Sequence, residues 1–397
     1  MFSFRTTSLS EQEDLVLHYG KLGVLSNAVA WNPETGEYLF EQLSKSGHLS
    51  RIFVPNGGFF NEYRSDNETY TDAEDFCDVF GLDNIDFVQL PTSNYEYLLL
   101  NKDKFEGIDA LIIEFQDLGV RYNPILSLVY NIFKLLKEED MKLSVYVLDR
   151  ENPSGRQVEG TALDEKYLSE IGLAGMPQTH GLTLGELSNL FYFDLNGKFP
   201  LHIISFLARS ATKYMNPWSI SPFSDLPGMY TFSFFSGQYL WEGTNVNPGK
   251  GTNRPFELFG APFLKDFYKK SRDEKSRELL NDLGAFVRWT EFIPLFGKYK
   301  DQRCYGYQLI QNSGIQYHSL AHTLRIMKYV KDNSTDFEFN DKMMNILGDD
   351  VLMDYLESRV SWNDLKEHIK VEEQKWIRKA KRYLLYDENL WRVKTLL

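Results

Sequence analysis

Apolar positions in the first half of the chain gather into five short runs: Leu22–Leu25, Ile52–Val54, Phe87–Leu90, Ala110–Ile113 and Ser144–Leu148. Between them, Tyr38–Leu43 and Ile125–Lys137 carry apolar residues at the spacing of an amphipathic helix. Strands that alternate with helices predict βαβ units, a mostly parallel sheet and right-handed crossovers. Thr183, with Glu186 three residues later, is a capping box that opens a helix running through Phe191. Residues 216–262 lose periodicity and are rich in Pro, Gly, Asn, Ser and rings, the mark of a long irregular functional stretch. Regular patterns then return. Strands are predicted at Phe286–Phe292 and Tyr305–Ile310, and helices at Leu320–Val330, Lys342–Leu347, Val351–Glu357 and Trp362–Tyr383. The expected fold is α/β, with a Rossmann-like, mostly parallel N-terminal domain over residues 1–230 and a smaller α+β C-terminal domain over 231–397.

A length of 397 residues suits two such domains. The net charge of −13 repels phosphate backbones and anionic lipid heads, so neither nucleic acid nor a membrane surface is an expected partner. The opening MFSFRTTSLSEQEDLV has no apolar core and no cleavage site, and no run of about 18 apolar residues follows anywhere. The default expectation is therefore a cytoplasmic protein, or a periplasmic or secreted one if a longer precursor was trimmed. Oligomeric state is not legible. Two cysteines, Cys77 and Cys304, cannot build a disulfide framework and read as buried thiols. Aromatic residues make up 15% of the chain, which serves core packing first and leaves rings to spare for a sugar face.

Several chemistries are excluded by what the motifs lack. The turn after the first strand, Ser26-Asn27-Ala28-Val29-Ala30, has no glycine to admit a pyrophosphate. Gly249-Lys250-Gly251-Thr252 places Gly where a phosphate loop needs Ser or Thr after its Lys. His318 and His322 have zinc-ligand spacing without an HExxH frame, and no GxSxG elbow exists. No metal and no cofactor are expected.

Carboxylates, amides and arginines remain, most of them just past the predicted strands, where the carboxyl edge of an open parallel sheet binds ligands. Asn27 follows the first run, Asn56 the second, Glu114, Asp117 and Arg121 the fourth, and Asp149, Arg150 and Asn152 the fifth. His180 precedes the capped helix, and Glu242, Asn245 and Arg254 lie in the aromatic stretch. Glycosidic cleavage needs one carboxylic acid to protonate the leaving oxygen, and a second group to assist water or oppose the oxocarbenium charge.

Ordered blocks carry a resemblance. They are GVLSN (Gly23–Asn27), EFQDLGVRY (Glu114–Tyr122), LDRENPSGRQVEG (Leu148–Gly160), THGLTLGEL (Thr179–Leu187) and LWEGTNVNPGKGTNRPFELFGAPF (Leu240–Phe263), with a weaker FIPLFGKYKDQRCYGYQL (Phe292–Leu309). In them the chain resembles the bacterial YbbC/NamZ-like exo-β-N-acetylmuramidases, which release terminal N-acetylmuramic acid from peptidoglycan fragments. The resemblance implies a Rossmann-like domain, a smaller C-terminal domain and a glycosidase site in the groove between them. On this reading the candidate catalytic carboxylates are Glu114, Asp117 and Glu242. The candidate binding residues are Asn27, Asn56, Arg121, Tyr122, Asp149, Arg150, Asn152, His180, Asn245 and Arg254, and the ligand is an amino sugar or muropeptide.

Three loops depart from the family pattern. Asn56-Gly57 stands where the family carries Glu-His, and that Glu is its natural catalytic candidate. Ala28-Val29-Ala30 replaces a polar Gln-Thr-Gly, and Glu114 replaces Asp. An amide exchanges no proton near neutral pH. The alternative expectation is thus a divergent paralogue that binds amino sugars with weak or no catalysis.

Overall fold

The computed structural model describes residues 20–33, 35–56, 58–60, 71–205, 220–223, 225–271, 273–281, 284–312, 317–386 and 392–393. Gly57, the first nineteen residues on which the leader expectation rests, and residues 216–219 at the head of the aromatic stretch lie outside them.

The five apolar runs form β1 (Leu22–Ser26), β2 (Leu49–Pro55), β3 (Asp86–Leu90), β4 (Ala110–Glu114) and β5 (Ser144–Leu148). A two-residue strand, β6 (Gln157–Val158), lies apart, and β7 (Leu201–Ile204) completes a parallel six-stranded sheet in the order β3-β2-β1-β4-β5-β7. Every residue of β1 and β4 is buried, because both faces of the sheet are covered. Alternate side chains serve opposite cores, as a period of two requires. Val24, Ile112 and Leu148 face a ring-rich core with Phe40 of α1 (Leu39–Lys45) and Phe76 of α2 (Ala73–Phe80). Leu25, Ile113 and Val147 face the other core, with α3 (Tyr95–Leu100), α4 (Pro124–Glu138) and α5 (Leu184–Asp194). The capping box of α5 is present: Glu186 N–H donates to Thr183 Oγ1 at 3.2 Å, and Thr183 N–H donates to Glu186 Oε2 at 3.0 Å.

The second unit contains α6 (Met229–Gln238), β8 (Leu258–Ala261), α7 (Phe267–Lys270), α8 (Glu274–Leu280), β9 (Ala285–Phe292), β10 (Cys304–Gln311), α9 (Ser319–Asn333), α10 (Met343–Leu347), α11 (Asp350–Leu356) and α12 (Trp362–Ala380). Its sheet is antiparallel, in the order β8-β10-β9. The stretch expected to be irregular thus holds a helix and a strand. In α6 the sequence MYTFSFFSGQ is buried on nearly all sides, so no polar stripe marks its period. At Gly237 a Cβ would stand 2.2 Å from Ser319 O, so only glycine lets α6 meet α9 this closely. Cys304 is buried as expected, but Cys77 of α2 is only half-buried, packed at the margin of the ring-rich core.

The two units interlock. Leu118, Val120 and Tyr122, from the loop after β4, join the C-terminal core. Trp376 and Ala380 of α12 join the core beneath α4 and α5. A short strand, β11 (Arg392–Val393), pairs in parallel with β6. Among the described residues no helix is long and apolar enough to cross a membrane.

Candidate active site

In this strand order the winding reverses between β1 and β4, and the loops at their carboxyl ends diverge to leave a crevice. Four strand tips stand side by side along that edge. β2 delivers Asn56, β1 delivers Asn27, β4 ends on Glu114, paired in register with Ser26, and β5 delivers Asp149 and Arg150.

Glu114 accepts a hydrogen bond from Arg150 Nη2 at 2.9 Å. The carboxylate side chain is 5% exposed and the arginine 23%, so Arg150 forms the open rim of this ion pair. Asn27 is buried, and its Oδ1 accepts from Val29 N–H at 3.3 Å, capping the short turn Ala28–Ala30. Asn56 is exposed; its N–H donates to Leu90 O at 2.9 Å, and its side chain has no partner among the described residues.

Asp117 is buried in the loop after β4. Its Oδ2 accepts from Gly119 N–H at 2.8 Å and lies 3.1 Å from His180 Nε2, while Oδ1 accepts from Asn123 Nδ2 at 3.0 Å. His180 Nδ1 accepts from Leu182 N–H at 3.2 Å, which turns the Nε2 edge of the ring toward the carboxylate. Both groups are closed from solvent, and the pair pins the loop that carries Glu114.

Other expected site residues hold the frame. The two terminal nitrogens of Arg121 donate to four carbonyls: Thr161 and Met176 in the first unit, Ile346 and Leu347 in the second. Tyr122 stacks on Tyr239 with ring centroids 4.3 Å apart. Asp149 accepts from Thr183 Oγ1 at 2.6 Å, Gly185 N–H at 2.7 Å and Tyr386 OH at 2.8 Å, and complete burial raises its pKa to about 6. Asn152 donates to Leu182 O and accepts from Ser154 N–H.

The residues from the aromatic stretch have their partners in the second unit. Glu242 lies 3.0 Å from Lys250 Nζ and 3.4 Å from Lys298 Nζ. Burial pushes its pKa up, but the two lysines outweigh burial and hold the carboxyl below its usual range, in the form that cannot donate a proton. Asn245 bonds Asp336 O and Glu338 N–H, and Arg254 pairs with Glu257 at 2.9 Å. The structure therefore brings Asn27, Asn56, Glu114 and Arg150 to one edge, buries Asp117, His180, Arg121, Asp149 and Asn152 behind it, and seats Glu242, Asn245 and Arg254 in the neighbouring unit. His318 and His322 are buried structural residues: His318 Nε2 lies 2.9 Å from Glu373 Oε1, and His322 Nε2 lies 2.9 Å from Leu280 O.

Two positions inside the quoted blocks were passed over because neither is charged. Gln157 and Thr179 line, with Ser233, a cavity of about 170 Å³ between the two units.

Residues 22–222 match the family model for the N-terminal part of the exo-beta-N-acetylmuramidase NamZ, and residues 233–386 match the model for its C-terminal part. Among curated proteins, the chain is 27% identical over 359 residues to the peptidoglycan beta-N-acetylmuramidase NamZ of Bacillus subtilis (strain 168), covering 85% of this chain and 80% of that protein. Among solved structures it is similar to two DUF1343 family proteins of Bacteroides fragilis NCTC 9343. One superposes with a TM-score of 0.69 at 20% identity and the other with 0.71 at 17%, each covering 96% of this chain and 97% of the other; these likenesses concern the fold.

Proposed function

This chain belongs to the exo-beta-N-acetylmuramidase NamZ family, and from that premise we propose that it is a glycoside hydrolase releasing terminal N-acetylmuramic acid from peptidoglycan fragments. The observation that carries the reading is the match of both family halves, in order, across nearly all of the described chain. The crevice supports it. Glu114 stands at the tip of β4 in an ion pair, suited to opposing the positive charge that builds on the sugar ring or to orienting water. Arg150, at the rim, suits the carboxylate that muramic acid carries. Asp117 and His180 act through position, by holding the Glu114 loop.

A second reading, an amino-sugar-binding paralogue with weak or no catalysis, is favoured by one observation: the tip of β2 presents the amide of Asn56 and no acid. Hydrolysis of a chromogenic N-acetylmuramic acid β-glycoside separates the two. Release of the chromophore, reduced by roughly a hundredfold or more in Glu114→Gln with the fold intact by circular dichroism, supports the enzyme. Absence of turnover alongside calorimetric binding of N-acetylmuramic acid supports the binding protein.

A further inference from the structure

Asp149 is a completely buried carboxylate just past β5, and its four hydrogen-bond donors are all neutral. Oδ1 accepts from the N–H groups of Gly185 at 2.7 Å and Arg150 at 3.0 Å. Oδ2 accepts from the hydroxyls of Thr183 at 2.6 Å and Tyr386 at 2.8 Å. Packing around it is tight: a Cβ on Gly185 would stand 2.6 Å from Asp149 Cγ. A buried carboxylate with no cation among its partners is costly, and an amide would fill the same space at less cost. Strongly perturbed groups of this kind concentrate at functional sites. Closed from solvent, Asp149 cannot touch a substrate, so whatever it does passes through its donors.

One donor leads to the crevice. The Arg150 N–H is tied to Asp149, and the Arg150 side chain reaches across the strand tips to Glu114, 2.9 Å from Nη2 to Oε1. Alternation sends Asp149 to the α5 side of the sheet and Arg150 to the opposite side, with Glu114. Another donor comes from the far end of the chain. After α12 the backbone returns to this edge, where Leu385 N–H donates to Glu186 Oε1 at 3.1 Å. Arg156, forked on Glu186, stands 5.9 Å from the centre of the Tyr386 ring. The half-buried Tyr386 places its hydroxyl between Asp149 and the Ser205 side chain, just past β7. The N–H groups on Oδ1 can only donate, and Thr183 Oγ1 already accepts from Glu186 N–H. When Asp149 takes a proton, the Tyr386 hydroxyl is therefore the partner best placed to turn round and accept it. The Arg150 N–H then donates to a neutral acceptor, and charge-assisted bonds are about twice as strong. The charged groups around Asp149 are Glu186 of α5, paired with Arg156, and the Arg150–Glu114 pair itself.

We propose that Tyr386 is a positioning residue for the crevice: its hydroxyl, delivered by the chain after α12, keeps Asp149 aligned, and Asp149 holds the Arg150 main chain so that the guanidinium meets Glu114 and a substrate carboxylate in one orientation. The role in turnover rests on the glycosidase reading; the linkage from Tyr386 to Arg150 does not.

The test uses the full chain and Tyr386→Phe, which removes one oxygen and keeps the ring; circular dichroism checks its fold. Burial places the Asp149 pKa at about 6, and loss of a donor to the ionised form raises it further. The Arg150 Nε–H resonance, assigned by its loss in Arg150→Lys, should shift with pH through about 6 in the wild type. In Tyr386→Phe the same shift should occur about one pH unit higher. No substrate is needed for this arm. On the chromogenic muramic acid β-glycoside, the acid limb of kcat/KM should move up with it, so that Tyr386→Phe loses roughly fivefold at pH 6. In an Arg150→Lys background the same change should cost nothing, because its route is already cut. A loss that is additive with Arg150→Lys marks Tyr386 as merely structural and overturns the inference. So does an Arg150 resonance that ignores pH near 6, or that titrates identically in both proteins. If the resonance behaves as expected but nothing is hydrolysed, the linkage stands and the glycosidase reading falls. If hydrolysis is brisk and the resonance is the same in both proteins, the linkage falls and the glycosidase reading stands.

Discussion

Replacing Asn56 by Glu tests whether a missing acid limits this protein. Asn56 directly follows β2, two strands from Glu114 across β1 and two residues beyond its level in the register, which places the two backbones about 12 Å apart at the usual strand spacing and rise. Side chains reaching inward from such positions can come within the separation at which paired carboxylates cleave glycosides. The Asn56 side chain is exposed and has no partner among the described residues, so one added methylene displaces nothing, and the change in stability should stay within about 0.5 kcal/mol. General acid catalysis contributes about 10²–10⁴-fold, equivalent to about 3–5 kcal/mol of barrier. The expected result is a rise in kcat of roughly a hundredfold on the chromogenic muramic acid β-glycoside. A descending alkaline limb, absent from the wild type, should appear in the pH profile. An unchanged rate, with unchanged melting temperature and unchanged binding of muramic acid, refutes the reasoning. So does a wild type that already turns over briskly and is indifferent to Asn56→Ala, because another group then supplies the proton.

Arg121→Met strips four buried carbonyls of their donor and should lower unfolding free energy by about 4 kcal/mol or more; a loss below about 1 kcal/mol in urea titration contradicts the clamp. Two buried groups set opposing pH slopes. Burial raises Asp149 to about 6, so its contribution is complete below the unfolded value of 3.8 and is lost as pH rises through 6. Burial lowers His322 to about 4, so its contribution is complete above 6.5 and is lost as pH falls through 4. Asp149→Asn should therefore expose a climb in stability of about 3 kcal/mol between pH 4 and 6.5 that the wild type largely hides. Equal slopes in the two proteins contradict this.

Five strands of the sheet were legible as apolar runs, clearest in β1 and β4, which are buried on both faces, but the edge strand β7, half-exposed at Leu201 and His202, was not predicted. The capping box of α5 was legible because Thr183 and Glu186 satisfy each other locally. What stayed hidden depends on distant partners. Arg121 looks like a ligand arginine in its own loop, and only the carbonyls of Ile346 and Leu347, more than two hundred residues downstream, reveal a clamp. Asp117 reads as a free carboxylate until His180 is folded against it. Helix α6 hid because enclosure removes the polar face that periodicity needs, and with it hid Ser233 and the cavity beside it.

The return of α12 to the first core governs how this protein is made. The sheet's last strand ends at Ile204, but its core is completed by Trp376 and Ala380, Asp149 by Tyr386, and Glu186 by the N–H of Leu385. Roughly 180 residues separate strand from cover, which at about 5–20 residues per second is about ten to thirty-five seconds of synthesis. Throughout that interval the apolar patch awaiting Trp376 is bare on the nascent chain. Translation speed, and whatever shields the patch meanwhile, then set how much of the protein reaches its folded state and how much aggregates.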